Sequence, residues 1–236
     1  KSFEPRNQMQ VDAIGFGLNC AKAKDKCGLI LYAGSGKTYI ACYMAVKVGL
    51  KTLIIVPTTS IRDQWVDTLV KMVGVSRDRI SIATNSQGII AADVDFVVTL
   101  HATVCSITKS YDLEALLKEA KFGIKIIDEA HMFFNNIIKV DGSSNILHNW
   151  YLTATFGRSA EQENELYHRM FGDIKLFRVK DKKPTIFNRK PGDVYGQMPH
   201  MNVDMYWMNT GLKREQIASV ERRTKYGISL PKYTEL

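Results

Sequence analysis

Few cysteines, few prolines and no long apolar run characterise this chain of 236 residues. Its four cysteines, Cys20, Cys27, Cys42 and Cys105, include no CxxC pair and are not accompanied by histidines at zinc-ligand spacing. That pattern argues against a zinc module and reads as small buried hydrophobes in a reducing compartment. No apolar run approaches the ~18 residues of a membrane span, so no membrane partner is expected. No basic-then-apolar signal segment opens the chain. It starts at Lys1 instead of Met, as a stretch taken from a longer protein does. Internal repeats and low-complexity tracts are absent. Hydrophobic residues make up 45% and charged residues 24%, which excludes wholesale disorder and collagen-like architecture. An intracellular setting is expected: cytoplasm, nucleoid or nucleus, with a viral or phage origin open.

Acidic residues are outnumbered. The 32 Lys/Arg and 24 Asp/Glu give a net charge of +8, which favours a polyanionic partner without proving one. The excess is uneven: residues 171–236 hold 13 Lys/Arg against 7 Asp/Glu. Leu176-Phe177-Arg178-Val179-Lys180 and Phe187-Asn188-Arg189-Lys190 interleave aromatics with bases. Such a mixture suits base stacking with phosphate neutralisation, or equally a solvated insertion. Three of the six prolines fall at 184, 191 and 199, in a polar stretch that reads as loop or insertion.

What is present is an alternation of short apolar runs with helical patterns. Runs near 28–32, 52–56, 96–100, 122–127 and 150–154 are continuous rather than alternating, as strands covered on both faces are. Helices are expected over 9–23, 37–48, 61–73, 113–120 and 161–171. The series predicts an α/β fold, a mostly parallel sheet with helices on both faces and right-handed crossovers. Val203–Met208 alternates like a strand, and Lys213–Tyr226 has helical composition, with Arg222-Arg223 as a charged face.

Two motifs carry chemistry. Gly34-Ser35-Gly36-Lys37-Thr38 follows the first strand and opens a helix, the setting of a P-loop. Its glycines let backbone N–H groups face phosphate, and the helix N-terminus adds partial positive charge. Lys37 would reach the β- and γ-phosphates of ATP, and the Thr38 hydroxyl would hold Mg²⁺. The usual first glycine of the motif is replaced by Leu31. Ile126-Ile127-Asp128-Glu129-Ala130-His131 ends a strand in acids. Asp128 would hold the metal opposite Thr38, and Glu129 would orient and deprotonate the attacking water.

With these residues the chain resembles a superfamily 2 helicase or translocase of the DEAH-box kind, with a RecA-like P-loop fold. The resemblance is nearest to XPB-like and phage UvsW-like DNA helicases and spans about residues 3–180. Val56-Pro57-Thr58-Thr59-Ser60-Ile61-Arg62-Asp63-Gln64-Trp65 resembles motif Ia, and Val97-Val98-Thr99-Leu100-His101 the next nucleic-acid-facing segment. Leu152-Thr153-Ala154-Thr155 resembles motif III. Met9-Gln10-Val11-Asp12-Ala13 resembles the adenine-reading signature, with Gln10 on the adenine edge and Gln8 as the competing candidate. The resemblance implies that His131, Thr153 and Thr155 couple the ATP site to nucleic acid, and that Thr58, Arg62 and Thr99 contact the backbone of the tracked strand. Structural alternatives stay open: Thr153 and Thr155 as strand formers, Trp65 as helix core, Thr99 and His101 as helix start.

The resulting expectation is an ATP-binding lobe over 1–180 and a basic insertion and bridge over 181–236. A second RecA-like lobe, in the same or another chain, would supply the arginine finger. The function implied is an ATP-dependent DNA helicase or translocase motor. The alternatives are an ATP-gated nucleic-acid-binding module without independent turnover, an RNA helicase, or a restriction-enzyme translocation subunit.

Overall fold

The computed structural model describes residues 4–109, 112–154 and 173–178, together with strands at 222–224 and 227–229. The chain divides into two compact units, 1–197 and 198–236. In the first, the described elements run α1 (Gln8–Ala23), β1 (Cys27–Ile30), α2 (Lys37–Val48), β2 (Thr52–Val56), α3 (Thr59–Asp67), β3 (Ile80–Ala83), α4 (Ser86–Ile89) and β4 (Phe96–Leu100). They continue as α5 (His101–Ile107), α6 (Leu113–Ala120), β5 (Ile124–Ile127), α7 (Phe134–Gly142), β6 (His148–Thr153) and β7 (Lys175–Arg178). In the second unit, β8 (Arg222–Thr224) pairs antiparallel with β9 (Gly227–Ser229).

The seven strands of the first unit form one sheet in the order β3-β4-β2-β5-β6-β1-β7, with every pair parallel. This is the RecA-like α/β fold expected from the alternation of elements. The continuous apolar runs are explained by burial on two sides. Along β2, Ile54 and Val56 join one core with α1, α2 and α3, while Leu53 and Ile55 join another with α4, α5 and α6. Along β6, Trp150 and Leu152 face the first core, and Tyr151 packs with Ile127 and Ile137. Each of these side chains is fully buried or nearly so, worth roughly 1.5–3 kcal/mol apiece in apolar burial.

Helix ends follow local chemistry. Asn7 caps α1 by accepting from Gln10 N–H, Thr58 caps α3 by accepting from Ile61 N–H, and Asp112 caps α6 through two first-turn N–H groups. Lys24, Gly49 and Lys121 close α1, α2 and α6 in the left-handed region. Under β5 and β6, the buried Lys125 ammonium pairs with Asp141 of α7, whose other oxygen accepts from the Tyr151 hydroxyl at 2.7 Å. That network fixes α7 beneath the strand that leads into the acidic motif.

Four sequence expectations need correction. The helix expected over 61–73 ends at Asp67 and passes into a π-helical turn, Thr68–Met72. The Thr68 hydroxyl donates back to Gln64 O at 2.8 Å and competes with the regular ladder. Lys175–Arg178 is neither insertion nor stacking surface but the edge strand β7. Phe177 packs against Phe16 with ring centroids 5.6 Å apart, so its ring is spent on the core. Arg222-Arg223 lies on a strand and not on a helix face, because the segment pairs with 227–229. Strand β3 and helix α7 had no counterpart in the expected series. The helix expected over 161–171 and the strand at 203–208 lie outside the described residues.

Candidate active site

The sheet order decides where the motifs meet. Strands β5 and β6 lie between β1 and β2, so the loops leaving β1, β5 and β6 emerge side by side at the carboxyl edge. Ligands of open α/β sheets bind in crevices at that edge. Backbone hydrogen bonds lock the three ends together: Leu31 N–H donates to Thr153 O at 3.0 Å, and Ala130 N–H donates to Leu152 O at 2.9 Å. The end of β6 therefore fixes the start of the Gly-rich loop on one side and the acidic turn on the other.

In the loop, Gly34 and Gly36 have φ of +79° and +89°, a region L side chains rarely occupy. Gly36 is needed twice over, because a Cβ there would lie 2.5 Å from Gln10 Nε2. Leu31 has no such requirement. It is 1% exposed and packs in the first core, which is why the motif's first glycine is dispensable here. Gly36 also caps α2 with no side chain to satisfy first-turn N–H groups. Ser35 is 4% exposed and its hydroxyl has no hydrogen-bond partner. An orphaned buried hydroxyl between two left-handed glycines at an uncapped helix start is a cradle fitted to phosphate oxygens. Lys37 Nζ donates to Leu31 O at 3.1 Å, folded back on the loop it would leave for phosphate. Thr38 is half-buried in the first turn of α2.

Gln10 also has a structural task at the loop. Its Nε2 donates to Ser35 O at 2.9 Å and its Oε1 accepts from Arg6 N–H at 2.9 Å. At 5% exposure, the amide braces the phosphate loop from below. Gln8, the competing candidate, is occupied by Asp12 on its own helix.

The acidic turn is strained and tightly bonded. Glu129 has φ +48° and Phe133 φ +52°, both unusual for residues with side chains of this size. Asp128 is 5% exposed. Its Oδ2 accepts from Trp65 Nε1–H at 2.7 Å and its Oδ1 from Glu129 N–H at 2.9 Å. Burial raises the Asp128 carboxyl above the usual range, with the Trp65 donor and, more weakly, the Lys37 ammonium acting against it. His131 Nδ1 lies 2.9 Å from Thr153 Oγ1 and 3.3 Å from Glu129 Oε2. A side-chain chain thus runs from Glu129 through His131 to the end of β6. Thr155 lies outside the described residues.

Of the residues assigned to nucleic acid, two are at the surface and one is not. Thr58 is exposed at the start of α3, and Arg62 follows one turn later, with Nε donating to Asp63 Oδ1 at 2.9 Å. Thr99 is 0% exposed, and its hydroxyl donates to Ala83 O at 2.9 Å. It joins β4 to β3 and is withdrawn as a strand contact, because a β-branched hydroxyl inside a sheet has no path to solvent. Two residues that close motif segments, but to which the motifs gave no role at the site, also reach it: Trp65 bonds Asp128, and His101 stacks on Phe133 at 4.9 Å.

The family model for "Type III restriction enzyme, res subunit" matches residues 3–158. The chain belongs to that family. Among curated relatives of this res-subunit family member, a protein named as an ATP-dependent RNA helicase in Acanthamoeba polyphaga mimivirus is 33% identical over 138 residues, covering 55% of this chain and 23% of the relative. A protein named as the DNA 3'-5' helicase Rad25 in Haloarcula marismortui is 29% identical over 134 residues, covering 57% and 20%. Helicase 161L of Invertebrate iridescent virus 6 is 29% identical over 214 residues, covering 85% and 44%. The chain spans half or less of the length of these relatives. Among solved structures, a Sulfolobus tokodaii protein described as a hypothetical ATP-dependent RNA helicase superposes with TM-score 0.58 at 19% identity, covering 75% of this chain and 54% of that one. The UvsW helicase of bacteriophage T4 gives 0.54 at 23% identity, covering 74% and 61%. The fold is therefore the RecA-like one that these solved helicases share, as expected, and the family implies nucleotide-dependent activity. Among the described residues, no helix is long and apolar enough to cross a membrane, and no group of three or more His, Cys, Asp or Glu could by itself hold a metal.

The res-subunit fold places His101 where pH can read it. The ring is 1% exposed, and burial, opposed more weakly by the backbone at Asp128, pushes its pKa down to about 4. Below pH ~6.5 the unfolded chain takes up this proton first. Stability contributed by the neutral ring is thus present above that pH, falls as pH drops towards 4, and levels off below. The loss amounts to at most about 3 kcal/mol. The raised Asp128 carboxyl works in the opposite direction, so the comparison must be made between variants. Urea unfolding at pH 7 and pH 4.5 is expected to show a smaller difference in His101→Leu than in the parent protein.

Proposed function

We propose that this chain carries the ATP-binding motor lobe of a helicase or translocase that uses ATP hydrolysis to move on or remodel DNA. One observation carries the reading: the orphaned Ser35 hydroxyl sits in a phosphate cradle, and the same strand end that bonds its loop bonds the acidic turn. In this scheme Gly34, Ser35 and Gly36 receive the phosphates through backbone N–H and hydroxyl. Lys37 exchanges the Leu31 carbonyl for β- and γ-phosphate oxygens. Thr38 and Asp128 hold magnesium, which when bound neutralises charge developing on the transferred phosphoryl group. Glu129 takes the proton of the attacking water, and His131 with Thr153 keeps that carboxylate oriented.

A RecA-like lobe over 1–180, with 181–236 as a bridge, fits this assignment. A second RecA-like lobe, in the same chain or another, completes it by presenting arginine to the transition state, an effect worth orders of magnitude in rate. The exposed hydroxyls at the start of α3, with Arg62 behind them, suit phosphates of a nucleic-acid strand and carry no sequence preference. The DNA reading rests on the motif resemblance to XPB-like and UvsW-like DNA helicases; relatives are named for both nucleic acids, so competition between the two decides between them.

The test is ATP hydrolysis by the full-length natural protein with and without nucleic acid, followed by competition between DNA and RNA of one sequence. Stimulation by DNA that RNA does not compete away is expected. Absence of stimulation by either would sink the motor reading in favour of a binding module, and stronger competition by RNA would move the substrate to RNA.

A further inference from the structure

Trp65 has no role in the motif scheme, yet it is bonded to the centre of the site. Its indole is 0% exposed, and its Nε1–H donates to Asp128 Oδ2 at 2.7 Å. The other carboxylate oxygen accepts from Glu129 N–H. Both oxygens are therefore held, one by the local turn and the other by a helix 63 residues away in sequence. A carboxylate oxygen accepts at two lone-pair positions, so each keeps capacity for a further partner. A buried carboxylate with a fixed rotamer is what a metal-holding group needs, because a free one would have to be ordered at each binding event.

Trp65 is part of the core, and it also lies on the side of α3 that begins at the exposed N-cap. Thr58, Arg62 and Trp65 stand at i, i+4 and i+7, along one side of α3. Three residues beyond Trp65 the helix widens into the π-helical turn Thr68–Met72, a feature found often at functional sites. The indole thus joins the helix whose start is exposed for phosphate to the carboxylate at the end of β5.

We propose that Trp65 is a positioning residue: its indole N–H fixes the Asp128 carboxylate for the magnesium that accompanies nucleotide, and ties that carboxylate to α3. The proposal rests on the assignment of Asp128 as a metal-holding group. It does not require Trp65 to touch nucleotide or nucleic acid.

The decisive variant replaces Trp65 with 3-benzothienylalanine, which keeps the shape of indole and puts sulfur where Nε1–H was. Nucleotide affinity is titrated in EDTA and in magnesium, with thermal unfolding alongside. Loss of a donor to a charged acceptor is expected to cut the magnesium-dependent gain in affinity about tenfold. Affinity in EDTA should change little, while the melting temperature should fall modestly because a buried carboxylate loses a donor. Asp128→Asn serves as control. If Asp128→Asn keeps the full magnesium gain, the assignment of Asp128 fails and the proposal falls with it. If Asp128→Asn loses the gain while the position-65 analogue retains it, the proposal alone is wrong. Equal losses in EDTA and in magnesium would make Trp65 a packing residue and overturn the proposal. Trp65→Phe gives a second reading of the same comparison: a lowered melting temperature with an unaltered magnesium gain also overturns it.

Discussion

Glu129→Gln is expected to leave nucleotide binding intact and to remove hydrolysis. The substitution keeps size and hydrogen-bonding shape but cannot take a proton from water. Positioned general bases contribute roughly 10²–10⁴ in rate, and a loss of that order is expected. The setting of Glu129 supports the assignment. Its backbone is held in the left-handed region, and its Oε2 lies 3.3 Å from His131 Nδ1. A residue at φ +48° costs stability relative to an ordinary turn and persists only where neighbours enforce it. Here they do so from both sides, through the Asp128 side chain on its N–H and through Met132 N–H, which donates to Glu129 O at 2.8 Å. Titration with a fluorescent nucleotide, alongside steady-state ATPase measurement in the presence of DNA, checks both halves. Hydrolysis equal to the parent protein would show that another group accepts the proton.

Lys37→Ala is expected to abolish nucleotide binding, with affinity lower by at least about 100-fold, without unfolding the protein. Nζ is a compact charge with three donors, and the loop between β1 and α2 itself holds no Lys or Arg that could replace it. In the free protein Nζ holds Leu31 O. That carbonyl belongs to a half-exposed bond, so losing it costs about 1 kcal/mol of stability. Binding calorimetry against ATP, with a circular-dichroism melt on the same samples, separates the two effects. A large drop in melting temperature would mean that Lys37 is chiefly a brace of the loop. Unchanged affinity would remove it from the phosphate site.

The two substitutions address the parts of the site most legible in the sequence. Gly34-Ser35-Gly36-Lys37-Thr38 and Asp128-Glu129-Ala130-His131 are contiguous, and their chemistry follows from residue types in order after a strand. The strands β1, β2, β4, β5 and β6 were legible for a related reason: they are buried on both faces, and double burial writes an unbroken apolar run. Strand β3 was missed because Ile80-Ser81-Ile82-Ala83 is a short edge strand with half-buried middle positions. Strand β7 was misread because Lys175 and Arg178 bracket it, as suits an edge that must stay soluble. Thr99 shows the same limit at the level of one residue. Its place in a motif is visible in the sequence, but whether its hydroxyl faces a nucleic-acid strand or a neighbouring β-strand is decided by register, and the pairing of Ala83 with Thr99 puts it inside. The reading of the cysteines as small buried hydrophobes fits three of the four, Cys20, Cys27 and Cys42, which are buried free thiols.

By itself the sequence determined the fold class, the phosphate loop and the acidic turn, because each depends on residues adjacent in the chain or on a local period. Tertiary structure alone decided what those motifs hold on to. Gln10 braces Ser35 across 25 residues, Trp65 bonds Asp128 across 63, and His131 meets Thr153 across 22. No periodicity encodes such pairs. They exist because a parallel sheet with β5 and β6 inserted between β1 and β2 brings separate strand ends to one edge, where buried polar groups must find partners or remain costly.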